Sequence, residues 1–316
     1  MSSKKWSILA VILILIGLAG AAYHKFEFGD DKPSFHQKWT FDQGALKALS
    51  IDSSYDVDME FIKSPDGTNY VEVSGNMKQQ TIDKLKQAKI SSQTLDLPMK
   101  DDFYWSFLTI SFQSTKQHIV VALSNPDTLD RIVFKAGSNS GHFTGLQGKK
   151  IQLTTTSGNL HADSIVAEEF KMSAVSGDIS ASQIQGETEI GLSSGNIRVD
   201  TLNGSLQTKT TSGNITAESV TGNVDASVGS GNIRFGNFIG DGTFHSTSGN
   251  VTLTDQRSNN LDIGVGSGNV SLSNDPDFKG TYDLRASSGN VTAPESPGET
   301  SDIIKARSVS GNIKVK

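Results

Sequence analysis

The sequence predicts an all-β chain built as a parallel β-solenoid, or β-helix, of about nine to ten coils of ~18 residues, preceded by an N-terminal β-rich cap with a short helix. Three observations predict it. Ser-Gly-Asn or Ser-Gly-Asp begins at Ser157, Ser176, Ser194, Ser212, Ser230, Ser248, Ser267, Ser288 and Ser310. The successive gaps are 19, then 18 four times, then 19, 21 and 22. Glycine also recurs at half that period, in unbroken nine-residue steps from Gly177 through Gly186, Gly195, Gly204, Gly213, Gly222, Gly231 and Gly240 to Gly249. Finally, each motif is followed by an aliphatic residue (Leu160, Ile179, Ile197, Ile215, Ile233, Val251, Val270, Val291, Ile313), with a second apolar residue two positions on.

Apolar residues at a period of two mark a strand with one buried face. Gly and Asn accept left-handed backbone angles at low cost, so the dipeptides between strands are corners. One such coil is too thin to bury its apolar face alone. Stacking copies buries a continuous apolar column and pairs each strand with its copies above and below. Asn at the same corner of successive coils is placed to form a side-chain amide ladder. No Lys-Ser/Thr follows any of these glycines, so they are not phosphate-binding loops.

Taken in chain order, residues 1–23 come first. Lys4 and Lys5 precede an uncharged run from Trp6 to Tyr23, which as a helix would span ~27 Å. This predicts a membrane anchor or uncleaved signal. By the positive-inside rule it would be a single-pass segment in the cell membrane, with a cytoplasmic N-terminus and the bulk of the chain extracytoplasmic. "LAGA" at Leu18–Ala21 has the form of a lipoprotein box with Ala where the acceptor Cys belongs. Residues 24–45 read as a polar linker with scattered aromatics. Residues 46–140 read as an irregular β region, with a turn at Pro65-Asp66-Gly67 and an amphipathic capping helix around Ile82 and Leu85. "FYWSFLTISF" and "QHIVVALS" read as further strands. Residues 141–316 are the repeat solenoid. The chain ends inside a strand, where Lys314 and Lys316 are expected to guard an open edge.

The Ser-Gly-Asn-Ile/Val coils resemble the bacterial "putative adhesin" β-strand-repeat family, a domain of unknown function, over roughly Leu46 to Lys316. The expected anchor makes the chain similar to the LiaG-type members. The resemblance implies an extracytoplasmic solenoid tied to envelope maintenance or stress. It supplies no catalytic residues.

Composition bounds the function. The chain has 316 residues, 34 Asp and Glu against 28 Lys and Arg, and a formal charge of −6. An acidic chain without a basic block argues against a nucleic-acid partner. The absence of Cys excludes disulfides, thiolate metal sites and a Cys nucleophile. Asp56, Asp58 and Glu60 alternate and so share one strand face, either solvated or holding a cation; no glycine-bearing calcium loop accompanies them. The six histidines show no metal spacing, and no Gly-x-Ser-x-Gly elbow is present. The sequence therefore assigns no catalytic, cofactor or metal site. The expected function is a non-enzymatic, membrane-anchored scaffold whose partner is a cell-wall glycan or an envelope protein. The alternatives are a structural or regulatory envelope-stress protein contacting another membrane protein, and a glycan-active β-helix enzyme. Against the enzyme, coils of 18 residues leave no room for the long loops that carry such sites.

Overall fold

The computed structural model describes residues 32–101, 115–125 and 129–316, with five further positions between 10 and 16. Two stacks of parallel strands run side by side and enclose one apolar core, and the chain alternates between them. A typical coil shows how. β12 (Ile197–Asn203) follows a Ser-Gly-Asn corner, Gly204 turns the chain, and β13 (Leu206–Ser212) returns to the next corner. Inward positions Ile197, Val199, Leu202 and Leu206 are buried, while the residues between them face outward.

The coils before it use the long strands β10 (Leu160–Ser176) and β11 (Ile179–Ser194), which pair from Leu160↔Ile179 to Ser176↔Ser194 with a register shift between Val166 and Glu169. After β13 come β14 (Ile215–Thr221), β15 (Val224–Ser230), β16 (Ile233–Ile239) and β17 (Gly242–Ser248). The short pieces β18 (Val251–Leu253) and β19 (Gln256–Arg257), then β20 (Leu261–Ser267) and β21 (Val270–Leu272), continue the two stacks. The 18-residue register is strict: Ile197 pairs with Ile215, Ile215 with Ile233, and Ile233 with Val251. Phe235, Phe238 and Phe244 pack edge to face in this core, with ring centroids 5.1–6.0 Å apart.

The nine-residue glycine series has a steric cause. At Gly213 φ is +136°, and a Cβ there would lie 1.8 Å from the carbonyl oxygen of Gly195 in the coil before it. Each corner backbone rests on the one below, so neither the angle nor the space admits a side chain.

The strands between Ser34 and Ser157 continue both stacks rather than standing apart. One stack is extended by β5 (Thr94–Met99), β2 (Ala48–Ser53), β7 (Arg131–Ala136) and β9 (Gln147–Ser157), in that spatial order. The other is extended by β1 (Ser34–Phe41), β4 (Asn69–Asn76), β6 (Lys116–Leu123), β3 (Asp56–Lys63) and β8 (Gly141–Thr144). β4 is antiparallel to both β1 and β6, which ends the parallel ladder at this pole. α1 (Gln79–Gln87) closes the same pole, burying Ile82 and Leu85 against β5. The expected capping helix is therefore present. Residues 34–41, read as linker, instead form β1. Phe35 and Trp39 are buried there, and Trp39 Nε1 donates to the Ala88 carbonyl at 2.8 Å.

Two further expectations need correction. Crossing hydrocarbon takes ~20 apolar helical residues, and no helix among the described residues is long and apolar enough to cross a membrane. The single-pass placement, with its cytoplasmic N-terminus, is overturned on that ground. Most of the apolar run 6–23 lies outside the described residues, as does "FYWSFLTISF". The second correction concerns the other pole. β22 (Thr281–Ser288), β23 (Val291–Thr292), β24 (Ile303–Ser310) and β25 (Ile313–Val315) complete the fold, but not in chain order. β24 pairs with β20 on one side and β22 on the other, and β25 lies between β21 and β23. The segment carrying Lys314 and Lys316 is thus an inner coil, and β22–β23 forms the outer edge.

Candidate binding face

Folding places the third residue of every Ser-Gly-Asn/Asp motif on one corner of the solenoid, one above the next. Asn196 Oδ1 accepts from the backbone N–H of Asn214 at 3.2 Å and from its Nδ2 at 3.1 Å. Asn214 does the same for Asn232 (3.0 and 3.2 Å), Asn232 for Asn250 (2.9 and 3.1 Å) and Asn250 for Asn269 (2.8 and 3.2 Å). The ladder begins at Asn159, passes through Asp178, and runs on through Asn312 to Asn290. It stays in line because each coil adds one strand spacing, ~4.8 Å.

Beside this ladder lies an open groove of about 600 Å³. One wall is the amide ladder from Asn196 to Asn269. The other is the outward row Arg198, Thr216, Arg234, Thr252 and Ser271, one residue per coil. Arg198 is tied down by Asp200 at 2.7 Å and by Glu218, and these carboxylates, Asp200 first, raise its already high pKa. Its charge is therefore largely answered within the protein. Beside Arg198 and Arg234, the groove presents amide and hydroxyl groups at one-coil spacing.

A second groove, about 450 Å³, lies along the other stack between Glu169 and Asp225. Two of its exposed carboxylates are paired, Glu189 with Lys171 at 2.6 Å and Glu169 with Lys150 at 2.8 Å. Exposed pairs of this kind contribute little to stability.

The structure separates the three carboxylates singled out on β3. Asp56 Oδ1 accepts the backbone N–H of Ser140 at 2.8 Å. Asp58 takes Lys116 Nζ at 2.9 Å and His142 Nδ1 at 3.1 Å, with His118 at 3.9 Å. Burial pushes its pKa up, but hydrogen bonds from Lys116 and His142 outweigh this and hold it below the usual carboxylate value. Glu60 is exposed. Nitrogen donors, rather than further oxygens, surround Asp58. Among the described residues no group of three His, Asp or Glu side chains could hold a metal ion.

Sequence comparison bears on the same residues. The Toastrack DUF4097 family model matches residues 46–237 and again 220–316, nearly all of the two stacks. The chain belongs to the Toastrack DUF4097 family. The match does not single out its LiaG-type members. No curated protein matches the sequence. Among solved structures, the Toastrack chain is similar to a protein described as a "putative adhesin" from Bacteroides fragilis. That match has 13% identity, covers 91% of this chain and 99% of that one, and has a TM-score of 0.44. It is also similar to a "putative lipid binding protein" from Parabacteroides distasonis, at 16% identity, 90% and 99% coverage and a TM-score of 0.45. A "putative adhesin" from Parabacteroides merdae matches at 18% identity, 73% and 96% coverage and a TM-score of 0.28.

Two features of this Toastrack chain escape sequence reading. His118, Asp58, His142 and His161 stand in one row on four adjacent strands, with the rings of His142 and His161 stacked 4.8 Å apart. Neighbours in this row lie 19 to 84 positions apart in the chain, and only strand register brings them together. Tyr55 is the second. It is buried under α1, and its hydroxyl donates to Asp101 at 2.5 Å while accepting the N–H of Lys78 at 3.1 Å. Burial, then the Asp101 hydrogen bond, push its pKa up to about 12.

Proposed function

We propose that the protein is a non-enzymatic scaffold that binds a cell-wall glycan in the groove beside the asparagine ladder. One observation carries the reading: five successive coils present a continuous amide wall facing a row of three hydroxyl-bearing residues (Thr216, Thr252, Ser271) and two arginines (Arg198, Arg234) at one-coil spacing. Carbohydrate recognition uses such arrays, because sugar hydroxyls both donate and accept and a repeating polymer matches a repeating surface. The coils from Leu160 to Leu272 carry no long loops on which a catalytic cluster could stand, which supports a binding role over a glycan-cleaving one.

Sedimentation with purified bacterial cell walls tests this. Wild-type protein saturates the wall fraction, and Thr216→Trp, which fills the groove from an outward position, weakens binding at least tenfold without loss of fold. Equal binding by Thr216→Trp, or release of soluble sugar by the wild type, would refute the proposal. A second reading, contact with another envelope protein, is favoured by the apolar cleft of about 330 Å³ at Phe61, Ile62 and Leu123. On that reading Ile62→Asp abolishes capture and Thr216→Trp leaves it intact.

A further inference from the structure

The final two coils are stacked out of chain order. The coil of β22 and β23 precedes that of β24 and β25 in sequence but lies outside it. The later coil fills the space between β20–β21 and β22–β23. Residues 303–315 thus occupy a site whose two walls are both formed by residues earlier in the chain.

The bonds on the two sides of the inserted coil are of one kind. Gly268 N–H donates to Ser310 O at 2.9 Å, and Gly311 N–H donates to Ser288 O at 2.9 Å. Asn312 N–H donates to Asn269 Oδ1, and Asn290 N–H to Asn312 Oδ1, both at 2.9 Å. Ser288, Gly289 and Asn290 thus offer Gly268 and Asn269 the same partners that Ser310, Gly311 and Asn312 now supply. Chain distance favours the former, because Ser288 follows Ser267 by 21 residues and Ser310 follows it by 43. Burial favours the latter. Ile304, Ala306, Ile313 and Val315 are buried in the inserted coil, whereas Leu284 in the outer coil is half-exposed and Val291 is exposed. The connecting strap, residues 293–301, is exposed at every position and is tied to residues 279–282: Gly298 N–H donates to the Gly280 carbonyl at 3.0 Å, Glu299 N–H to the Lys279 carbonyl at 2.8 Å, and Ser296 Oγ accepts the Tyr282 N–H at 2.9 Å. Ion pairs Lys305–Asp262 and Arg307–Asp283 fasten the inserted strand on both sides, but they are solvent-accessible.

From this we infer that the C-terminal coil is exchangeable. The coil Thr281–Thr292 has a second packing, directly on β20–β21, in which Ile303–Lys316 leaves the stack. The pole opposite α1 then has two states that keep the same corner bonds. They differ in which apolar residues are buried and in whether residues 303–316 are released from the stack.

The natural absence of cysteine makes disulfide trapping clean. Ser271 pairs with Lys314, at one strand spacing of ~4.8 Å, within disulfide reach. Thr292 is one step further out, ~9.6 Å from Ser271, beyond the span a disulfide can bridge. In the full-length chain under mild oxidation, Ser271→Cys/Lys314→Cys closes at once. Ser271→Cys/Thr292→Cys closes more slowly but goes to completion, and the trapped molecule exposes β24 to hydrogen exchange. If the second pair stays reduced while the first has closed, and both variants are folded, the inference is overturned. Should either variant fail to fold, hydrogen exchange of the wild type decides. Exchange at Ala306, Ser308 and Ile313 together, at least tenfold faster than at Ile263 and Val265 in β20, supports exchange of the coil. Equal rates overturn it.

Discussion

Gly213→Ala tests the steric account of the corners. A methyl group at this position meets the Gly195 carbonyl oxygen at 1.8 Å, and the obstacle is backbone rather than a side chain that can turn away. At φ +136° an L-residue also carries strain of ~1–3 kcal/mol. Relieving the clash means lifting coil 212–230 off its neighbour, which breaks at least the Gly195 N–H to Ser212 O bond (3.0 Å) and opens the core around Ile197 and Ile215. One lost backbone bond adds ~1 kcal/mol, and partial opening of the core adds a similar amount or more. The sum is about 3–5 kcal/mol, at the upper end of single-site effects. Gly191→Ala is the matched control. It lies in the second half of β11, outside the left-handed region, and a Cβ added there would meet nothing within 4 Å. There the substitution is neutral or stabilises by up to ~1 kcal/mol. Urea denaturation followed by circular dichroism and hydrogen exchange reads both, with exchange showing whether Gly213→Ala loosens coils locally. A Gly213→Ala protein within ~1 kcal/mol of Gly191→Ala would refute the reasoning.

Other consequences follow from the same structure. Asn214→Ala removes three ladder bonds at an exposed corner and costs ~1–2 kcal/mol in urea melts. Phe235→Ala leaves a cavity between Phe238 and Phe244 and costs ~3–5 kcal/mol. The Tyr55 pKa, raised from 10.0 to about 12, means that the folded state holds this proton more tightly than the unfolded state does. Its contribution, up to ~2–3 kcal/mol, is full below pH 10 and is lost as pH rises towards 12. The stability difference between wild type and Tyr55→Phe therefore narrows over that range. Asp58 has the opposite sign: its lowered pKa contributes stability above the ordinary carboxylate range, and that stability is lost as pH falls. Lys116→Met flattens the acid limb of the stability profile.

What could be read from sequence depended on whether information was local or periodic. The Ser-Gly-Asn corners, the inward Ile and Val positions and the amide ladder all recur at fixed spacing, so one coil predicts the rest. α1 was legible from Ile82 and Leu85, one turn apart. β1 was hidden because Gln37 interrupts the alternation of Phe35, Trp39 and Phe41 that would mark a strand. The Asp58–His142 pair depends on β3 meeting β8, 84 residues on, which no local pattern encodes. The late intervals of 21 and 22 hinted that the last coils depart from the regular rise, but coils 281–292 and 303–315 have the same form. Which of them lies outside is decided by packing alone. The groove followed from the ladder once the stacks were in place. The row opposite it, from Arg198 to Ser271, is simply the second position after each Asn.

The claim that the ladder groove is the binding face is tested most directly by hydrogen exchange of the protein with and without soluble cell-wall fragments. Protection confined to the coils spanning Asn196–Ser271, centred on Thr216 and Arg234, is the predicted result. Protection centred instead on residues 46–123, or none at saturating fragment, would contradict it.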